Sequence, residues 1–209
     1  VLDVPLRDRN ELLMAAGYGA MYRATDLDAP ALEQACRALD FMLRQHEPYP
    51  AIVVDRCWNL LKANGGAVRL VEAFADPDAA AEWGGNAMRL MFHPRGFRPH
   101  IVNWEAMAAG LIQWLHRDVL HGLGGDDSRR LLEEFLAYPG VPPRWRSLDL
   151  DVSTAPFLPI EFRKNDLHLR FFSTLTSLGT PHDITLQELR VETFFPADAD
   201  TEEASRRLA

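Results

Sequence analysis

The chain has 209 residues, 47% of them apolar, including 11 Phe and 5 Trp, which suffices for one large hydrophobic core or a core with an appendage. Its 30 acidic and 22 basic residues leave a formal charge of −8, and so acidic a surface argues against direct contact with nucleic-acid phosphates. Two cysteines, Cys36 and Cys57, fit neither a zinc site nor a disulfide framework, and no apolar run nears the length of a membrane span, so a soluble, cytoplasmic protein is expected.

In chain order, "VPLRDRNELLMAAGY" predicts a helix with Pro5 near its start and Gly17 at its end. A second helix is expected over "APALEQACRALDFMLRQHE", capped by Asp28, with Leu32, Cys36, Leu39 and Leu43 as its apolar stripe. Pro48 and Pro50 stop it. "AIVVDRCWNLLKAN" then reads as strand, tight turn and strand, the second strand starting at Trp58, before a helix from Gly66 to Phe74.

A short helical piece, "NAMRLMF", precedes the best-marked helix, for which Asn103 is a fair N-cap. Trp104, Met107, Ala108, Leu111, Ile112, Leu115 and Val119 recur on one face of it. Another helix, "DDSRRLLEEFLAYP", ends at Pro139-Gly140, and a proline-rich connector follows. The last third changes period: "FLPIEFR" and "LHLRFFSTLTSLG" flank the turn "KND" as a hairpin, and "ITLQELRVETFF" is expected as a final strand. Two strands, several helices and about three strands make an α+β arrangement, an antiparallel sheet with helices packed on one face and a helical segment ahead of it.

Chemistry-bearing clusters are sparse. His116 and His121 lie five apart on one helix, about 140° around the axis, and His93 and His100 have no cysteine or carboxylate at ligand spacing, so no metal site is expected. The pairs Asp126-Asp127 and Glu133-Glu134 read as solvated, and no nucleophile-elbow, phosphate-loop or dinucleotide fingerprint occurs. In "TPHD", Asp183 is better suited to capping the chain that follows than to activating a nucleophile. What stands out is large apolar groups beside polar ones: Trp58, Trp104 and "RFFST". That is the composition either of ordinary core or of a small-molecule cavity.

"AIVVDRCWNLLKANGGAVRLV" resembles the first two strands and following helix of PAS domains, with Asp55, Asn64 and Ala67 in register. Trp58 falls where such turns usually have glycine, which implies a different turn geometry. Together with "HPRGFRPHIVNW" and "RFFSTLTSLGTPHDITLQELRVETFFPAD", it resembles the MmyB-like ligand-binding domain of XRE-type bacterial transcription regulators.

The resemblance implies three parts: 1–47 as a helical segment leading from a helix-turn-helix absent from this chain, 48–198 as the PAS-like domain, and 199–209 as a C-terminal tail. The start at Val1, without Met and within helical sequence, fits that expectation. It also implies a non-enzymatic sensor that holds a small lipophilic, fatty-acid-like molecule, forms a homodimer and meets DNA through the absent domain. The expected ligand contacts are Trp58, Leu60, Leu90, Trp104, Met107, Leu111, Phe172 and Thr174, with Arg95, Arg98 or His100 as partner for an anionic head. A ligand-free dimerisation module, and further behind it an enzyme acting on a lipophilic substrate, are the alternatives.

Overall fold

The computed structural model describes residues 4–120, 125–148, 159–179 and 181–209; His121, Phe157 and Leu158 lie outside them. Five antiparallel strands form one sheet: β1 (Ala51–Val54), β2 (Leu60–Ala63), β3 (Ile160–Lys164), β4 (Leu167–Ser177) and β5 (Arg190–Pro196), in the order β2-β1-β5-β4-β3. The fold class is therefore α+β. Strands from the two ends of the domain meet in the middle, where β1 pairs with β5, so the sheet closes the chain on itself.

Helix α1 (Leu6–Ala15) begins after Pro5, whose fixed φ suits a helix entry, and gives way to Gly17 at φ 84. Asp28 does not cap the next helix. The chain enters α2 (Glu33–Gln45) through a 3-10 turn at Pro30–Leu32, and no side chain caps either element. Leu39 and Leu43 of α2 pack with Ala51, Val53 and Val191 on one face of the sheet.

The other face carries α3 (Gly65–Phe74), α4 (Ala87–Phe92), α5 (Trp104–Leu120), α6 (Gly125–Ala137) and α8 (Ala199–Leu208). Two apolar clusters sit there. One gathers Phe74, Phe97, Met107, Phe162 and Phe171; the other gathers Trp58, Met88, Phe92, Ile112 and Phe135. Met91, Trp104 and Leu111 touch both.

The junction of α2, β1 and α3 is tied by one residue. The Asn64 side-chain oxygen accepts from the amides of Ala51 and Ala67, both at 2.9 Å, and its Nδ2 donates to the carbonyl of Tyr49 at 2.8 Å. It thus starts β1 and caps α3 together. Asn103 directly precedes α5, and its side-chain amide bridges to β3, donating to Pro159 O and accepting from Glu161 N.

One expected strand changes type. "ITLQE" is not strand but helix α7 (Ile184–Glu188), because Asp183 accepts from the amides of Thr185 and Leu186 and so nucleates a turn. Residues 199–208 form α8, capped by Asp198 through the amide of Thr201.

Candidate ligand cavity

The second strand of the opening hairpin starts later than its apolar run. Asp55 Oδ1 accepts from the amides of Cys57 and Asn59, which bends residues 55–59 into a turn and leaves β2 to begin at Leu60. Trp58 takes φ 65, the left-handed conformation natural to glycine. The glycine-like turn is therefore retained by a tryptophan. Its indole is buried, edge-on to Trp114 at 5.5 Å, with the Arg190 guanidinium 5.0 Å above Trp114 and held near Asp118. Burial of that ring offsets a backbone strain of about 1–2 kcal/mol.

Beyond this turn the sheet and helices part to leave a cavity of about 330 Å³, within the usual range for small-molecule sites. The sheet supplies Ile52, Leu60, Ile160, Glu192 and Phe194; α3 supplies Ala67, Val68, Leu70 and Val71. The roof comes from Trp83, Met88, Leu90, Met91 and Phe97, and from Leu111 of α5. Leu60, Ala63, Val68 and Glu72 are exposed members of this lining and mark a mouth between β2 and α3.

The lining is apolar with few exceptions. Asn86 is buried and engaged, donating to Cys57 O and Asn59 Oδ1 and accepting from Arg89 N. Glu72 sits at the rim. Glu192 lies on the central strand, between Ile52 of β1 and Leu175 of β4, with the Ser173 hydroxyl nearby. Burial pushes its carboxyl up to about 7, against the pull of the Ser173 hydroxyl. Glu192 belongs to the cavity lining and keeps part of its surface accessible.

Of the residues singled out from sequence, Trp58, Leu60, Leu90 and Leu111 line this space together. Met107 and Trp104 do not; Met107 is packed in the core, and Trp104 lies edge-on to Phe92 under the Arg98 guanidinium. Phe172 and Thr174 point to the opposite face, where Phe172 stacks on Phe195 at 5.4 Å and Thr174 shares a hydrogen bond with Thr193 at 2.8 Å. Their neighbours Phe171 and Ser173 take the inward parity.

The three cationic candidates are also elsewhere. Arg95 is bound to Asp76 and Glu82, and Arg98 donates to the Pro139 carbonyl. His100 packs beside Phe74, and burial, with Lys164 nearby, lowers its pKa. Sequence reading missed Glu192 and Phe194, although the alternation in "RVETFF" places both on the face opposite Val191 and Thr193.

A five-stranded antiparallel sheet with an apolar cavity under one flank of helices defines a PAS-like α+β module. The chain belongs to the family of the MmyB-like transcription regulator ligand binding domain, whose model matches residues 35–208. That match takes in α8 and all but the first two residues of α2. A comparison with curated proteins returned no match. The family is one of regulator ligand-binding domains, not of enzymes. Among the described residues, no group of three or more His, Cys, Asp or Glu could hold a metal ion, and no helix is long and apolar enough to cross a membrane.

Proposed function

We propose that this chain is the sensory half of an XRE-type, DNA-binding regulator, that it takes a small lipophilic molecule with a fatty-acid-like hydrocarbon chain into the cavity between sheet and helices, and that it works in the cytoplasm as a homodimer. The observation that carries the reading is the apolar cavity itself, lined by Trp58, Leu60, Leu90 and Leu111 within a family of regulator ligand-binding domains. Burying roughly a dozen methylenes at about 0.8 kcal/mol each gives on the order of 10 kcal/mol, against an association cost of about 4–15 kcal/mol. Hydrocarbon alone therefore binds modestly, and the head group decides affinity. A ligand-free dimerisation module would gain stability by filling that space.

In such a regulator the ligand acts by favouring one arrangement of the DNA-reading domains over another, through differential affinity for the two. The acidic surface of this chain suits that division of labour, with DNA contact made by a separate domain. Titration with the fluorescent lipophile N-phenyl-1-naphthylamine tests the cavity: saturable binding by the wild-type chain, lost in Leu111→Trp with the fold intact, is expected. Equal binding by both proteins would place the ligand elsewhere.

A further inference from the structure

Glu192 is an ionisable side chain in the wall of a predominantly apolar cavity, on the sheet's central strand. From that placement, and resting on the ligand-binding reading above, we infer that Glu192 is the head-group receptor of the cavity and favours lipophilic molecules whose head donates a hydrogen bond, an amine or an alcohol, over carboxylate anions.

The surroundings of Glu192 support this. β1 presents Ile52 to it, and β4 presents Leu175 and Ser173, none of them charged. From the helical side the charged residue of the lining is Glu72 of α3, which has the same sign as Glu192 and stands at the mouth; α4 and α5 contribute Met88, Leu90, Met91 and Leu111. Along β5, Arg190 shares the parity of Glu192, but it lies over Trp58 and Trp114, paired with Asp118, and is not part of the lining. Arg95 is neutralised by two carboxylates away from the cavity.

A carboxylate head entering this space meets one carboxyl inside and another at the rim. It can share the site with Glu192 when one of the two carries a proton, as paired carboxyls do. An ammonium head meets its counter-ion there, and an alcohol donates to Glu192 in either state. Because the carboxyl of Glu192 is held near neutrality by burial, ligands of opposite head charge respond to pH in opposite directions. An anion binds the protonated form and tightens as pH falls, whereas a cation binds the ionised form and tightens as pH rises.

The test is calorimetry of the whole chain with decanoate, decylamine and decanol at about pH 6 and about pH 8. Decanoate is expected to bind about tenfold tighter at the lower pH and decylamine about tenfold tighter at the higher, with decanol nearly flat. Glu192→Gln keeps size and hydrogen bonding but cannot titrate, so it is expected to flatten both slopes and raise decanoate affinity at about pH 8. Urea melts establish that the variant is folded. Slopes that survive in Glu192→Gln, or decanoate binding at the higher pH as tightly as decanol, would overturn the assignment. Loss of decanoate binding in Arg190→Met with Glu192 intact would do the same, by placing the head at Arg190. Failure of all three molecules to bind the wild-type chain would sink the ligand reading and the head-group inference together.

Discussion

Glu192 makes the stability of the folded state depend on pH. Its carboxyl is pushed from 4.5 to about 7 by burial in the cavity wall. At pH below the unfolded value both states hold the proton, and the group costs nothing. Between the two values the folded chain keeps a proton that the unfolded chain has released, so stability falls as pH rises. Above about 7 the folded state must carry a desolvated charge. At about 1.4 kcal/mol per pH unit the interval amounts to about 3 kcal/mol, an upper figure because water reaching Glu192 through the mouth lowers it.

Replacing Glu192 with Gln isolates this contribution, since every other titrating group is common to the two proteins. Urea unfolding at several pH values, with the slopes compared to check that unfolding exposes equal surface, gives the difference directly. Near the ordinary carboxylate range the two proteins should be almost equally stable. By about pH 8 the variant should lead by up to about 3 kcal/mol. A difference that is constant across this range, or a variant that is less stable at the higher pH, would refute the placement of Glu192 in an apolar wall.

Asn64→Ala removes the bonds that start β1 and cap α3 and should destabilise by about 3 kcal/mol in denaturant melts, more than the ~1 kcal/mol of a cap alone. Gly66→Ala should be poorly tolerated and lower the melting temperature, because a Cβ there would stand 2.5 Å from the Pro48 carbonyl oxygen, which is backbone. Trp58→Gly relieves the left-handed backbone but removes a buried indole; a net loss of about 2–3 kcal/mol in urea melts is expected. Phe172→Ala should weaken the sheet through its stacking on Phe195 while leaving lipophile binding unchanged, since it faces away from the cavity.

The long apolar stripe of α5 and the tight turn after β1 were legible in sequence, because each depends on residues close together in the chain. Parity in β4 was not. Phe171 and Phe172 are adjacent and both apolar, so alternation gives no sign of which ring turns inward. In "ITLQE" the β-branched residues favour strand, and a cap three-dimensionally tied to Thr25 outweighs them: Asp183 Oδ2 accepts the Thr25 hydroxyl at 2.5 Å. The cavity left no mark of its own, since a void is defined by what surrounds it. Its trace was Glu192 on the inward face of a strand, and that became readable once β5 was seen to lie at the centre of the sheet.

The most direct test of the ligand-binding account is the intact mass of the purified chain under native and then denaturing conditions, with extraction of whatever differs. The account predicts a discrete small lipophile that is retained natively, released on denaturation and absent from Leu111→Trp. Identical masses in the two conditions, together with no uptake of added decanol, would contradict it and leave a cavity without a ligand.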